Sequence, residues 1–391
     1  MKKTLAAVAV LGAFAGSALA ADVQLYGLID TGLRYLHSDA DTNKDATNSF
    51  SMESGMASGS RFGFKGTEDL GNGLTVGFVL ENGFTSDDGA EKGVFFDRES
   101  SLFLQGGFGK VAFGRMGSIN NGTSSWGKYG MISAFGTSWG DYAAQAGTWA
   151  MGAGLWDNMI SYQTPTFAGF TVYAQYGMGN KVTSLTNKDK TVGDENESTS
   201  DRYYSLGATY ANGPLNLYAA VDSINYASFG DGGTPDVDDS LTVTLGGNFD
   251  FEVVKLFAGA QYFDEIKLSN MKGAVQLEKT GFAGYHKNNS EDGKMEGWSL
   301  GVSASIPAAG GTVLVGAAYL DAEAADSVTG TAKDDELNRW IVSAGYDYPF
   351  SKRTDVYGVV TYNQDQMDSK TAGNDRDPSV YGVMVGLRHK F

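Results

Sequence analysis

The chain ends in YGVMVGLRHKF, residues 381–391. Alternate residues of this stretch share one side of an extended chain and are mostly apolar or aromatic: Tyr381, Val383, Val385, Leu387, His389 and Phe391. The opposite side carries Arg388 and Lys390, which could not face lipid cheaply. The first and last aromatics lie ten residues apart. In a strand tilted by about 45° that spacing projects to about 23 Å, close to the ~25 Å apolar band of membrane barrels. The stretch therefore predicts a strand that spans a membrane with one face in lipid.

The same alternation recurs along the chain, for example at Trp340-Val342-Ala344-Tyr346 and Phe170-Val172-Ala174-Tyr176. Strands of a soluble β-sandwich also alternate. Here the apolar faces begin or end in an aromatic, which suits rings at lipid headgroups. The opposite faces hold Gly, Ser, Thr, Asn, Gln and charges, which suit a wet lumen better than a second packed sheet. The pattern favours a transmembrane barrel.

Composition excludes several classes of protein. Glycine is frequent, with 54 residues, whereas there are only 6 prolines and no cysteine. The lack of cysteine excludes thiol catalysis, disulfides and Cys-ligated zinc or iron–sulfur centres. A net charge of −17 argues against nucleic acid as a partner.

The N-terminus has the features of an export signal. Lys2 and Lys3 precede a short apolar run, and Ala18-Leu19-Ala20 fits a signal-peptidase site. We expect residues 1–20 to be a cleaved signal peptide and residues 21–391 to form a single barrel domain.

Polar segments alternate between short and long, and their number predicts the strand count. Seven are short: 68–73, 106–108, 164–169, 211–214, 250–251, 307–311 and 349–353. Eight are long: 38–54, 85–96, 116–157, 179–200, 225–239, 265–296, 321–336 and 365–378. Fifteen connections imply an all-β, antiparallel transmembrane β-barrel of 16 strands, with short periplasmic turns and long extracellular loops. A barrel of this size leaves an aqueous channel.

Two motifs resemble chemical sites but lack the surroundings that the chemistry needs. Gly136-Thr137-Ser138-Trp139-Gly140 matches a nucleophile elbow, yet it lies in a long loop without a suitable downstream histidine. The segment 39–45 imitates the start of a calcium loop, but Lys44 stands where glycine is required. We therefore expect no catalytic residues, no metal site and no cofactor, with an outer-membrane barrel enzyme as the less favoured alternative.

A channel specific for one solute is the stronger alternative. Trp126, Trp139, Trp149 and Trp156 all lie within 116–157. Such rings could form a sugar-binding track, or they could wedge a loop against the barrel wall, and we favour the wedge.

Strand parity predicts which charged side chains reach the lumen. The inward positions of the first strands carry these residues: Asp30, Arg34, Arg61, Lys65 and Glu81. Parity alone turns Arg115 outward, so a lumen role for it needs a bulge or a place beyond the membrane belt.

Four segments resemble the Gram-negative general porins, especially the neisserial and betaproteobacterial branch. They are VQLYGLIDTGLRY at 23–35, SGSRFGFKGTEDLGNGL at 58–74, FGKVAFGR at 108–115 and GLRHKF at 386–391. The likeness extends over the whole chain after the signal peptide, in order and spacing. It implies an outer-membrane channel for passive diffusion of small hydrophilic solutes and ions, built as a homotrimer whose third long loop folds into the pore. The implied surroundings are outer-membrane lipid and lipopolysaccharide.

The resemblance also suggests roles for individual residues. Phe391 is expected to be read by the outer-membrane assembly machinery. Arg61 and Arg98 match the family's wall arginines best, and Asp141 on the inward loop is their expected acidic counterpart. One departure is Trp156-Asp157, where related porins commonly place an arginine. The sequence leaves the choice between anion and cation preference open.

Overall fold

A computed structural model describes residues 23–41, 45–122, 124–136, 146–150, 154–179, 182–183, 192–193, 195–227, 238–267, 293–328, 330–369 and 375–391. The strands in the first half are β1 (Gln24–Asp39), β2 (Thr47–Ser54), β3 (Arg61–Gly71), β4 (Leu74–Gly83), β5 (Glu99–Gly106), β6 (Gly109–Gly117), β7 (Leu155–Gln163), β8 (Phe170–Gly177), β9 (Val182–Thr183) and β10 (Val192–Gly193). Those in the second half are β11 (Arg202–Asn212), β12 (Leu215–Asn225), β13 (Leu241–Asp250), β14 (Lys255–Lys267), β15 (Lys294–Ala308), β16 (Gly311–Ala324), β17 (Glu336–Pro349), β18 (Thr354–Asp368) and β19 (Ser379–Lys390).

The wall is a closed antiparallel barrel. Each strand pairs with its neighbours in chain order, and β19 pairs with β1 from Leu28↔Lys390 to Asp39↔Ser379. β2 and β3 both pair with β1 and together form one wall strand, whereas β9 and β10 form a separate two-residue hairpin. The described residues therefore contain sixteen wall strands, which confirms the predicted fold. The 3₁₀ turns are Tyr129–Met131, Ala146–Thr148 and Gly330–Asp334, and no described helix is long and apolar enough to cross a membrane.

The last strand shows the predicted division into two faces. Val383, Val385 and Leu387 are 43–52% exposed on the outside, whereas Met384 between them is fully buried inside. Closing the sheet on itself leaves no edge strand with unpaired backbone groups in lipid. The expected signal peptide, residues 1–20, lies outside the described residues.

The seven short turns lie where the sequence predicts them. The β3–β4 turn shows why its residues favour that structure: Asn72 and Gly73 both have positive φ, at 54° and 75°. A two-residue turn with this geometry favours Asn-Gly because most other side chains resist it. The turn therefore fixes the register of the hairpin.

The first predicted loop, 38–54, was too long. Thr47–Ser54 is strand β2, paired with β1 from Thr31↔Ser54 to Ser38↔Thr47. Phe50 and Met52 are 71% and 56% exposed on the outer face. Because its other residues are mostly polar, the composition of β2 resembles that of a loop.

Two segments leave the wall and enter the barrel. One is the six-residue insert 55–60 between β2 and β3, which we call the wall insert. The other, the inner loop, consists of the described residues of the connection between β6 and β7 (118–122, 124–136, 146–150 and 154), and it belongs to the third long loop of the sequence. Its Trp126, Tyr129 and Ile132 are buried in a cluster with inward tyrosines of β8, β11 and β12. The predicted folding of this loop into the barrel is confirmed.

Candidate functional site

Asp30 holds the wall insert against the inside of the barrel. It points inward, as parity predicts, but it is completely buried. Its carboxylate accepts hydrogen bonds from Ala57 N at 2.9 Å, Ser58 N at 2.7 Å and Tyr357 OH at 2.6 Å. The expectation that Asp30 lines open lumen is therefore corrected, because the wall insert covers it.

Arg61 and Arg98 meet at one carboxylate. The Nε of Arg98 lies 2.6 Å from Glu81 Oε1, and the Nε of Arg61 lies 3.6 Å from Glu81 Oε2. Tyr26 also donates to Oε2, at 3.0 Å. Glu81 is only 8% exposed, so it is enclosed by its partners. Two guanidinium groups share one carboxylate, and the group of three carries one net positive charge.

Arg388, which was not predicted as a site residue, continues this surface. Its guanidinium donates to Ser58 Oγ at 3.0 Å, Asp355 Oδ1 at 2.9 Å and Asp347 Oδ2 at 3.0 Å. Because Ser58 belongs to the wall insert, Arg388 is tied to the same element that precedes Arg61. We call Arg61, Arg98 and Arg388 the arginine arc.

The wall insert orders the arc. Arg61 donates to the Gly59 carbonyl at 2.8 Å. A Cβ on Gly59 would lie 3.1 Å from Nη1 of Arg98, so the absence of a side chain lets that guanidinium lie against the backbone. The three arginines therefore surround one short segment.

The other predicted basic residues contact partners other than Glu81. Arg34 pairs with Glu53 of β2 at 2.5 Å, and Lys65 lies over the Tyr26 ring at 5.1 Å. Arg115 pairs with Asp157 at 2.5 Å and donates to the Asp97 carbonyl at 2.6 Å.

The β6–β7 register shifts between Gly114 and Met116, so the bulge that a lumen role for Arg115 needs is present. Asp141 lies outside the described residues.

The inner loop is fastened to the wall at several points along its length. Asn120 donates to Asp222, and the Met131 carbonyl accepts from Asn248 Nδ2 at 2.8 Å. Farther along, Ala134 N donates to Ser303 Oγ at 2.9 Å.

The returning limb of the inner loop is fastened by Arg339, which donates to the Gly147 carbonyl at 2.9 Å. Arg339 is itself held by both oxygens of Asp365, each at 2.6 Å. These contacts place the loop against the strands from β12 to β18.

Three of the four clustered tryptophans act as packing residues. Trp126 and Trp149 are 2% and 1% exposed, and Trp149 meets Tyr129 edge to face at 5.5 Å. Trp156 stacks on the buried Tyr203 at 5.2 Å. Trp126 and Trp149 are buried and offer no face to a passing sugar, and the partly buried Trp156 packs against the same cluster, so these three support the interpretation that the rings wedge the loop against the wall. Trp139 and residues 137–140 of the elbow motif lie outside the described residues.

A cavity of about 500 Å³ lies between Arg388, with the adjacent wall insert, and the inner loop. Its lining includes Ser58 and Arg388 on one side, Ser133 and Phe135 of the inner loop on another, and Lys255 and Asp347 on the wall. The mixture of charged, hydroxyl and aromatic groups suits hydrated solutes. Among the described residues there is no cluster of His, Cys, Asp and Glu that could hold a metal ion.

Comparison with known proteins gives consistent matches over the whole chain. A family model described as Gram-negative porin matches residues 6–368. The chain is 34% identical to an outer membrane porin protein of Bordetella pertussis and 31% identical to outer membrane porin protein 32 of Delftia acidovorans, with 100% of each chain covered. Among solved structures, the anion-selective porin from Comamonas acidovorans superposes with a TM-score of 0.62 at 26% identity, covering 95% of this chain and 100% of that one.

Proposed function

The chain belongs to the Gram-negative porin family, and on that basis we propose that its channel is narrowest between the arginine arc and the inner loop. The barrel is an outer-membrane channel through which small hydrophilic solutes and ions diffuse passively. The cavity between Arg388 and Phe135 supports the proposed position of the narrow point. We infer no catalytic activity.

We further propose that the channel passes anions more readily than cations. The observation that carries this is local to Arg61 and Arg98: these two guanidinium groups share Glu81, which leaves one positive charge on that side of the path, whereas Arg388 is held by Asp347 and Asp355. In a pore, selectivity follows the charges that line the narrow region. The net charge of −17 is a weaker guide to ion preference than the charges at the narrow region. Many of the carboxylates lie in outer loops, where salt screens them within about 8 Å. The resemblance to a solved porin named as anion-selective supports the same choice.

We also propose which acidic residue faces the arginines at the narrow point. The inner-loop stretch 129–136, which borders the cavity, contains no acidic residue. Asp141 is the nearest following acid in the sequence and is the carboxylate that we assign opposite Arg61. Arg34 and Lys65 extend the basic wall on either side of Arg61 along the pore.

The test of the basic wall is charge reversal at one position. Arg61→Asp should move the reversal potential in a salt gradient toward cations, because a fixed charge at a narrow point acts at short range. Asp334→Asn, in an exposed outer segment, is the control and should change little. An unchanged potential in folded Arg61→Asp would mean that the selectivity residues lie elsewhere.

We also propose that Phe391 completes the barrel and serves as its assembly signal. Its N–H donates to the Gly27 carbonyl at 3.0 Å, and its carbonyl accepts from Gly27 N at 3.0 Å. Deleting Phe391 removes both bonds and the terminal aromatic ring. The truncated chain should fail to reach the outer membrane in heat-modifiable form, and normal insertion would contradict the proposal.

A homotrimer in outer-membrane lipid and lipopolysaccharide is the proposed assembly. The outer face carries Phe64 of β3 and Phe113 of β6, which are 36% and 50% exposed. Flat aromatic rings permit close packing between barrels. Cross-linking in mild detergent should give trimers, and a product that contains only monomers would remove this support.

A further inference from the structure

Two lysines, Lys110 and Lys128, differ from the arginines of the arc in the groups that they contact. Each arginine of the arc forms an ion pair with a carboxylate. Lys110 and Lys128 instead lie over aromatic rings, and no ion pair joins either of them to a carboxylate in the part of the chain that the structure describes. A ring stabilises an ammonium group without cancelling its charge. The positive charge of these lysines therefore remains available to a solute.

Lys110 and Lys128 contact one aromatic cluster, from the barrel wall and from the inner loop respectively. The Nζ of Lys110, on β6, lies 4.1 Å from the Phe103 centroid and 5.0 Å from that of Trp126. The Nζ of Lys128, two residues after Trp126 in the inner loop, lies 5.1 Å from the Tyr173 centroid. All three rings belong to one buried cluster. Both ammonium groups thus contact the same aromatic cluster, that of Lys110 from β6 and that of Lys128 from the inner loop.

The two charges act on each other. Burial, with the positive charge of Lys110 as a second cause, lowers the pKa of Lys128. Both side chains are half-buried, so water screens their repulsion less than it would at an open surface. An anion between them would relieve that repulsion.

The nearby carboxylate is already occupied. Glu99 is 2% exposed and accepts from Ser125 N at 2.8 Å, Ser125 Oγ at 2.9 Å and Ser101 Oγ at 2.8 Å. These donors hold it at the base of the inner loop, where it forms no ion pair with Lys110 in the described residues. Glu99 tempers the local positive charge, but its described hydrogen bonds are to Ser101 and Ser125 and not to either lysine.

We propose that Lys110 and Lys128 form a subsite that binds a small divalent oxyanion, for which inorganic sulfate is the probe. Two ammonium groups supply two charges and up to six N–H donors, and hydrogen bonds between charged partners are the strong ones. The subsite is separate from the arginine arc and is formed by β6 and the first limb of the inner loop. It rests on the proposed function, since the anion must first enter the channel.

The test is sulfate inhibition of chloride current through the purified full-length protein in planar bilayers. In a fixed chloride background, sulfate should reduce the wild-type current to a plateau, because a bound divalent anion cancels the local positive charge. Lys110→Gln and Lys128→Gln should each raise the half-inhibiting sulfate concentration about tenfold, as expected for losing one charged hydrogen-bond donor. Lys110→Arg keeps the charge and should keep the inhibition.

Lys267→Gln is the matched control. Lys267 also lies over a ring, that of Tyr226 at 4.0 Å, but it pairs with Asp201 at 3.9 Å. Its loss should leave sulfate inhibition unchanged. Each variant is first checked for the heat-dependent gel shift of a folded barrel, and Lys128→Gln, in a loop, decides the matter if Lys110→Gln does not fold.

The outcomes separate the two proposals. A wild-type channel that prefers anions but shows no saturable sulfate effect would overturn the subsite alone. Equal inhibition in wild type and Lys128→Gln would also overturn it. A wild-type channel that prefers cations would overturn the proposed selectivity instead.

Discussion

Replacing Asp30 should loosen the wall insert and lower the stability of the barrel. Asp30→Ala removes the acceptor of three hydrogen bonds, from Ala57 N, Ser58 N and Tyr357 OH, at a site without solvent exposure. A buried donor left without a partner costs about 1–3 kcal/mol. Some donors will find water or other acceptors once the insert moves, so we expect a net loss of about 3–5 kcal/mol.

The assay is equilibrium unfolding in denaturant, followed by the gel shift between folded and unfolded barrel. Tyr357→Phe is the graded control, because it removes one of the three donors and leaves both backbone bonds to Asp30 intact. It should cost about 1 kcal/mol. The reasoning is refuted if Asp30→Ala unfolds at the same denaturant concentration as wild type, or if Tyr357→Phe is the more damaging change.

Asp30→Ala should also change the current. The wall insert carries Ser58, which binds Arg388, and Gly59, which binds Arg61. A loosened insert should let both arginines move, and single-channel recordings should then show more open-state noise than recordings of Tyr357→Phe. Equal noise in the two variants would mean that the insert does not position the arc.

Three further outcomes are expected. Gly27→Val should impair assembly, since a Cβ there would lie 2.1 Å from the Phe391 ring, whereas Gly107→Ala, with open space around it, should assemble normally; the heat-modifiable fraction in outer membranes measures both. Arg339→Gln should free the returning limb of the inner loop at Gly147 and change single-channel conductance, and an unaltered conductance would contradict that anchoring role. Sugars should give no saturable current block, because Trp126 and Trp149 are buried, and a saturating block would revive the solute-specific alternative.

The fold followed from local sequence because a barrel wall repeats one simple constraint. Every spanning strand must put apolar residues toward lipid, so period-two alternation marks the strands and polar turns mark their ends. Strand β2 was not predicted, because Phe50 and Met52 are flanked by Ser49, Ser51 and Glu53. A strand so rich in polar residues resembles a loop.

The site was harder to predict because parity gives a direction but not the surroundings. Parity turned Asp30 inward correctly, yet only the three-dimensional structure shows the wall insert that covers it. Arg388 was recognised as facing away from lipid, but its role depends on Ser58, which is 330 positions away in the sequence. The available signal in the sequence was an arginine, Arg388, at an inward position of the last strand. That signal points to the other inward arginines only once barrel closure places β19 beside β1.

The zero-current potential of the wild-type channel in a potassium chloride gradient tests the central claim most directly. Chloride and potassium have similar mobilities in water, so the sign of the potential reports which ion the lined pore favours. Glu81, shared by two arginines, and the two lysines that form no ion pair among the described residues predict the sign of preferential chloride passage. A potential of the opposite sign, or one near zero, would contradict the proposal that the inner wall selects anions.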